Sequence, residues 1–568
     1  MTIDSIVFKE VVIFPELFLG VSIVYLVIYG VFLSVTRTYP LIQTSVLYLS
    51  VLILIMVCFL LANENLIVLE INSFNNTFLN DFTSVSSKQL IACSCIACLL
   101  MIQFYLINKK VNQYEYILMF LFAILGFFLL CSSNDLITAY LAIELQSLSF
   151  YVLAAFKKNS TFSVNAGLKY FILGAFSSSL FLLGSSFIYG FTGTLNFEDL
   201  KDLFFWVFPG STFWLVSDDF VIKQNNFLLF SLENSCDDTF ILIENLLPEN
   251  FWGYKHILLE NLEAYQCFVE KNLTVSFFCV EFLENDLLQF AIIFILISLF
   301  FKLALAPFHL WAPDIYEGSL SSSAFFFAVM PKLGIFLLLI RLFYCCFYGF
   351  IDNWRYYVVS IAVVSVIIGS LVGLEQRKIK NLLAYSSISH MGYSLMAFSI
   401  GTFEGIQLLL CYLFIYICSG LCIWSIFLIT RLRYSFNKKQ NKDLADFVLL
   451  NKSNKMLAIY LSAVLLSIAG IPPMVGFLVK IGIFLVSVEA SMYFVALITI
   501  LFSVISTFYY IRIIKVIFFE NKLVGKLYYP ITTQRSIIIV LLFYLLIFLF
   551  VNPTLPFLIT YKFSLIFF

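Results

Sequence analysis

Phe301-Lys302-Leu-Ala-Leu-Ala-Pro307-Phe-His309-Leu-Trp-Ala-Pro313-Asp314 decides how this chain is read, together with the following apolar run that carries Pro331-Lys332. The two ammonium groups stand thirty residues apart, inside hydrophobic runs long enough to cross a bilayer. There a charge costs about 3 kcal/mol on the lenient insertion scales, and an ionisable group that persists is a functional residue by default. Each lysine lies close to a proline, which has no N–H to offer the carbonyl four residues back. Pro307 therefore frees the carbonyl of Leu303, and Pro331 frees that of Phe327. Gly470-Ile-Pro472-Pro473-Met-Val-Gly476-Phe-Leu-Val-Lys480 repeats the arrangement, with the carbonyls of Ile468 and Ala469 released. Non-helical backbone at membrane depth is tolerated where it lies inside protein or lines water. A broken helix with a lysine beside the break reads as part of an ion path.

The rest of the chain fits that reading. Of its 568 residues, 62% are hydrophobic and 12% charged, with a mean hydropathy of +1.00; soluble domains are about 25% charged. The expectation is an all-α polytopic membrane protein surrounded by lipid. Thirteen cysteines and three histidines form no metal framework. Cys93, Cys95 and Cys98 lie in an apolar helix without a fourth ligand nearby, where cysteine serves as a small apolar side chain. The first twenty residues hold Asp4, Glu10 and Glu16 and no arginine, unlike a secretory or transit signal, so the first apolar run is expected to remain as a membrane helix. The 67 phenylalanines, with abundant Ile, Leu and Tyr, are the bias of AT-rich codons and hint at an organelle gene.

Apolar runs of about 20 residues or more fall at 12–36, 42–62, 86–107, 115–132, 134–156, 166–192, 287–308, 318–345, 353–373, 379–399, 405–430, 456–487, 489–516 and 536–560, which predicts about fourteen transmembrane helices. Residues 1–196 and 286–568 then form one membrane domain. Between them, 197–285 holds fifteen Asp/Glu against four Lys/Arg and only short apolar patches, so it reads as an acidic extramembrane insertion. Basic residues gather after odd-numbered helices, at Arg37, Lys109, Lys110, Lys157, Lys158, Arg377, Lys378, Lys380, between Arg431 and Lys455, and at Lys522, Lys526 and Arg535, although the loop after helix 7 holds none. Loops after even-numbered helices hold few, such as Lys88 and Arg355. By the positive-inside rule both termini and the insertion face outward. The broken segments of Lys302 and Lys480 lie five helices apart. An odd offset reverses orientation, so two inverted five-helix repeats are expected, about helices 4–8 and 9–13, with an ion site near the midplane.

Glu144, in Ala139-Tyr-Leu-Ala-Ile-Glu144-Leu-Gln146-Ser147, is the carboxylate nearest the middle of a predicted span. A carboxylate keeps its charge in hydrocarbon when an ammonium is close, so Glu144 and Lys302 form a natural pair. Burial disfavours the ammonium form, which lets Lys302, Lys332 and Lys480 exchange protons near neutrality. One carboxylate, three lysines and His390, which sits among Ser386, Ser387 and Ser389, outline a proton relay. The plainer alternatives are static ion pairs or lysines snorkelling to the interface. For Glu16, close to a helix start, the plainer reading is the better one. For His309, Asp314 and Glu317, after the broken helix, exit and structural roles are equally open.

These same motifs, with Pro307-Phe-His-Leu-Trp-Ala-Pro-Asp-Ile-Tyr-Glu-Gly318, Lys332-Leu-Gly-Ile-Phe and Lys378-Ile-Lys-Asn-Leu-Leu-Ala-Tyr-Ser-Ser-Ile-Ser-His-Met-Gly-Tyr393, resemble the antiporter-like proton-pumping subunits of respiratory complex I. The similarity covers most of the chain outside the insertion. It implies fourteen helices with inverted repeats, and proton transfer through Glu144, Lys302, Lys332 and Lys480 coupled to NADH–quinone electron transfer. It implies that NAD, FMN, iron–sulfur clusters and ubiquinone are held by other subunits and that no cofactor is held here. The implied partners are other membrane-arm subunits, with an accessory subunit a candidate at 197–285, and no nucleic acid. The implied location is the mitochondrial inner membrane, or a bacterial plasma membrane. The competing functions are a subunit of a multisubunit cation/proton antiporter and a structural membrane scaffold.

Overall fold

The computed structural model describes residues 13–35, 42–64, 71–109, 113–207, 286–430, 443–448, 450–520 and 533–567. Helices α1 (Phe14–Val35) and α2 (Ile42–Glu64) lead to a short hairpin, β1 (Ile71–Ser73) and β2 (Phe78–Asn80), paired antiparallel with Ile71 opposite Asn80. Then come α3 (Phe82–Lys109), α4 (Glu115–Ser132), α5 (Leu136–Ala155), α6 (Thr161–Thr192) and α7 (Phe197–Val207). After the acidic region follow α8 (Asp286–Leu303), α9 (Trp311–Gly318), α10 (Ser321–Val329) and α11 (Pro331–Ile340), the last running into a π-helical turn, Arg341–Cys346. The remainder is α12 (Ile351–Glu375), α13 (Ile379–Ser399), α14 (Phe403–Ile429), α15 (Lys455–Ala469), α16 (Val475–Glu489), α17 (Tyr493–Phe518), α18 (Thr533–Val551) and α19 (Thr554–Phe567). Among the described residues, eleven helices are long and apolar enough to cross a membrane, and three shorter apolar helices accompany them.

With every backbone group obliged to bond internally in lipid, position in the bundle follows from side chains. The span 321–346 is buried at every residue but the half-buried Cys345, whereas the most apolar 18-residue stretch of α1 is only 22% buried. Helices α10 and α11 are the axis, with α3, α4, α5, α8 and α14 packed around them. Helix α13 is almost as enclosed, and α12 approaches it closely because Gly369 of α12 and Gly392 of α13 each face the other helix. A Cβ at Gly369 would stand 2.7 Å from the Ser389 backbone nitrogen, the kind of close approach small residues permit between membrane helices. Lipid-facing positions carry large apolar side chains, such as Phe32, Phe162, Phe494 and Tyr544.

The two ends of the bundle differ. At one, the hairpin end, Asn134 N donates to Thr77 O at 2.9 Å and Phe197 N to Asn134 O at 2.9 Å. There Asn72 also donates to Glu198 at 2.9 Å, and Phe204 packs on Phe347 and Phe350. At the other, the basic end, Leu444 N donates to Arg377 O at 3.0 Å, Lys380 Nζ to Ser319 O at 2.7 Å, and Lys169 pairs with Asp314 at 2.5 Å.

Several sequence expectations need correction. The run 287–308 ends as a helix at Leu303, and 318–345 is two helices joined at Pro331 plus a π turn. The runs 456–487 and 536–560 are each two helices, broken at 470–474 and 552–553. A run of apolar residues measures hydrophobic length, and prolines and left-handed residues cut it without making it polar. Lys88, expected in a loop, lies inside α3, is 0% exposed and pairs with Glu16. The boundary at 197 also shifts in meaning: Phe197–Val207 is a helix docked on the bundle, while 208–285 lies outside the described residues.

Candidate functional site

Two helix breaks build the site. Helix α8 ends in a paired turn: Ala304 N donates to Phe301 O at 3.0 Å and Leu305 N to Phe300 O at 3.0 Å, with Ala304 at φ +61°. Helix α15 ends in the same way, with Gly470 N bonded to Ser467 O, Ile471 N to Leu466 O, and Gly470 at φ +80°. This is the Schellman termination, which satisfies two carbonyls and leaves the last ones of the helix free. The following prolines, cis at Ala306–Pro307 and Pro472–Pro473, bring no N–H to cover them.

Lysines do. Lys332 Nζ donates to Leu303 O at 2.7 Å. Lys480 Nζ donates to Ile468 O and Ala469 O, both at 3.0 Å. These are three carbonyls that the prolines release. Each bond from a charged donor contributes about 1.5–3 kcal/mol, so one or two of them offset the roughly 3 kcal/mol cost of a charge at mid-bilayer. Lys480 also lies 5.2 Å from the centre of the Tyr393 ring, a favourable place for a cation. Phe327 O, freed by Pro331, is not what Lys332 bonds.

Lys302 is different. Its Nζ is buried without a hydrogen-bond partner, 6.0 Å from the Tyr151 ring centre. Glu144, half-buried on α5, acts on Lys302 electrostatically without forming an ion pair. Its Oε2 accepts from Ser147 Oγ at 3.4 Å, and its Oε1 is unpartnered. The expected Glu144–Lys302 pair is therefore a neighbourhood and not a contact. Gln146 Oε1 and Tyr151 Oη are likewise buried and unpartnered. Beside them Lys302, Gln146, Ser147 and Trp311 line a cavity with room for about one water. A cluster of polar atoms without protein partners at a water-sized space suits hydrated proton transfer.

His390, buried on α13, bonds through Nδ1 to Tyr412 Oη at 2.6 Å and through Nε2 to Tyr510 Oη at 3.1 Å. Tyr509 Oη continues the row, 3.4 Å from Tyr510 Oη. The serines expected to surround His390 do not serve it: Ser386, Ser387 and Ser389 donate back to carbonyls of their own helix at 2.7–2.8 Å. The tyrosines come from α14 and α17 and were invisible among 31 in the sequence. Tyr416 joins the two halves, donating to Ala328 O of α10 at 3.0 Å while its ring lies 5.9 Å from that of His390.

At the basic end His309 is buried with Nδ1 unpartnered. Glu317 is tied to Lys378 and accepts from Asn381 at 2.8 Å. Partial burial pushes the Glu317 carboxyl up, but Lys378 and Asn381 outweigh it and hold it below the usual glutamate range. Asp314 and Glu317 are thus loop anchors. Sequence reasoning also missed a second charged group at the hairpin end, where Arg341 pairs with Asp81 at 2.5 Å and Lys88 with Glu16. Among the described residues no group of three or more His, Cys, Asp or Glu could hold a metal ion.

Residues 133–231 and 266–506 match the family model described as NADH:quinone oxidoreductase/Mrp antiporter, TM. NADH-ubiquinone oxidoreductase chain 2 of Marchantia polymorpha is 34% identical over 97% of both chains, and NADH-quinone oxidoreductase subunit N of Pelagibacter ubique is 33% identical over 90% of both. A chain of respiratory complex I from Thermus thermophilus superposes with a TM-score of 0.68 over 96% of this chain and 98% of that one, at 22% identity, which is a likeness of fold. With the match spanning most of the described membrane helices and both lysine-capped breaks, the chain belongs to the family of NADH:quinone oxidoreductase and Mrp antiporter membrane subunits.

Proposed function

We propose that this chain is a proton-translocating membrane subunit of respiratory complex I. Protons move along Glu144, Lys302, Lys332, His390 and Lys480, with NADH oxidation, flavin and iron–sulfur chemistry and quinone reduction held in other subunits. One observation carries the reading. Lys332 and Lys480 are bonded to carbonyls released by helix breaks, and among the described residues neither has a carboxylate at ion-pair distance. A static structural ion pair needs an anion. An ammonium held by neutral carbonyls can lose and regain its proton without leaving a stranded countercharge. Arg341–Asp81 and Lys88–Glu16, by contrast, are the ion pairs that a scaffold would use.

The partners in this reading are the neighbouring membrane-arm subunits and lipid. The setting is the mitochondrial inner membrane, with the bacterial plasma membrane as the equivalent. The basic end faces inward, and the hairpin end, with the acidic 197–285 stretch and both termini, faces outward. There the acidic stretch meets an accessory subunit. The inverted five-helix repeats belong to the same reading: a lysine-capped break occurs once in each half.

The test is Lys332→Ala in the assembled complex, with proton translocation and NADH–quinone turnover measured together. Removing a proton-carrying group should lower translocation by about a hundredfold while assembly persists. Normal pumping would remove Lys332 from the path. The second reading, a subunit of a cation/proton antiporter, shares the broken helices. It is separated by native mass spectrometry: co-purifying flavin and iron–sulfur subunits exclude it, and their absence would favour it.

A further inference from the structure

The relay leaves two buried ion pairs unused, Lys88–Glu16 and Arg341–Asp81, and the second lies on the Lys332 helix itself. Arg341 follows α11 directly, nine residues beyond Lys332 on the same continuous span. At 1.5 Å per residue that is about 13 Å closer to the hairpin end. Its side chain is 5% exposed. Nη2 pairs with Asp81 Oδ1 at 2.5 Å and Nη1 donates to Ser133 O at 3.2 Å. Asp81 is held in turn, accepting from Ser84 N at 3.2 Å at the start of α3. Arg341 is the first residue of the π-helical turn 341–346, a form that recurs at functional sites. Over this turn α7 closes, with Cys346 Sγ on Phe197 O at 3.4 Å and Phe204 against Phe347 and Phe350.

The contrast with the surroundings of Lys302 is chemical. There, polar atoms lack protein partners beside a water-sized space, whereas both terminal guanidinium nitrogens of Arg341 end on protein acceptors, Asp81 and Ser133 O. A guanidinium stays protonated throughout the physiological range, so it neither takes up nor passes on a proton. A fixed positive charge in a narrow path raises the energy of any second cation there, the device by which channel-like proteins exclude protons. We propose that Arg341, fixed by Asp81, is a proton barrier that seals the hairpin end of the Lys332 helix. Protons reaching Lys332 then leave only along the bundle, towards His390 and Lys480. The proposal rests on the relay reading for the route it protects, but its own test does not require turnover.

Arg341→Ala would leave the Asp81 carboxylate in a cavity shaped by the lost side chain. That is a group able to bind a proton and admit water, where there was a fixed cation. Passive proton permeability of liposomes containing the assembled complex, measured without NADH, should rise several-fold. Arg341→Lys, which keeps the charge and a partner for Asp81, should stay close to the unsubstituted complex. An assembled Arg341→Ala complex with unchanged permeability overturns the proposal, and so does a leak from Arg341→Lys as large as that from Arg341→Ala. If the alanine variant does not assemble, Arg341→Gln, which can still reach Ser133 O, is read by the same criterion. Adding Lys332→Ala to a leaky variant distinguishes the two readings. Loss of the leak supports both, whereas a persisting leak supports the barrier and removes Lys332 from the path.

Discussion

The breaks after α8 and after α15 have the same backbone and the same kind of cap, a lysine ammonium, and differ in where that lysine comes from. Both helices end in the same paired turn, both are followed by a proline, and both leave carbonyls in a low-dielectric interior where an unpaired polar group is costly. At the second break the donor is local: Lys480, eleven and twelve residues on, serves two carbonyls at once. At the first it comes from another helix, as Lys332 reaches Leu303 O across twenty-nine residues, and the lysine nearest in sequence, Lys302, points elsewhere. The left-handed position is glycine in one and alanine in the other. One backbone solution thus supports two electrostatic ones, a self-contained cap and a junction between helices with a third, unpartnered ammonium beside it.

That difference can be broken by removing the caps. Lys480→Met strands two buried carbonyls and should lower stability by about 2–4 kcal/mol, against about 1–2 kcal/mol for Lys332→Met, which strands one. Thermal unfolding of the purified complex, followed at this subunit, orders the two; equal losses would mean that the caps do not count singly. The left-handed residues sharpen the same comparison. Gly470→Ala should cost about 1–2 kcal/mol, since a Cβ there would also stand 2.8 Å from Lys480 Cδ. Ala304→Gly should instead gain up to about 1 kcal/mol from relief at φ +61°. A gain at both positions or a loss at both would refute the account of the two turns.

A smaller effect concerns the extra ammonium. Because Glu144 and Lys302 do not touch, Glu144→Gln and Lys302→Met should combine in assembly yield with a coupling below about 1 kcal/mol. A contacting buried pair would show a penalty of about 3–5 kcal/mol for either single change. Coupling of that size would restore the direct pair. The smallest effect lies at the basic end. The Glu317 carboxyl is held below the usual glutamate range in the folded chain, so the tie to Lys378 is present above that range. It is lost as the pH falls through the lowered value. Being exposed, it is also weakened by salt. Hydrogen exchange around 311–320 should therefore rise on acidification in the parent and change little in Glu317→Gln; an identical acid response in both would remove this tie as the cause.

How much of this was legible in advance follows from what each feature depends on. The helices from Glu115–Ser132 and Ile379–Ser399 match the predicted boundaries, because an apolar run in lipid can only be helical and its length measures the bilayer. The released carbonyls of Leu303, Ile468 and Ala469 were readable too, since a missing N–H is a covalent property of proline that acts four residues back whatever surrounds it. The lysines, Glu144 and His390 stood out because a charged or basic group in a long apolar run has a cost that sequence alone exposes. What tertiary structure decided was who meets whom. Lys332 rather than Lys302 caps Leu303 O, tyrosines rather than serines hold His390, Asp81 meets Arg341 across 260 residues, and Glu144 stops short of Lys302. Hydrogen bonds and ion pairs act over about 3 Å, and sequence separation carries no information about that distance until the helices have packed.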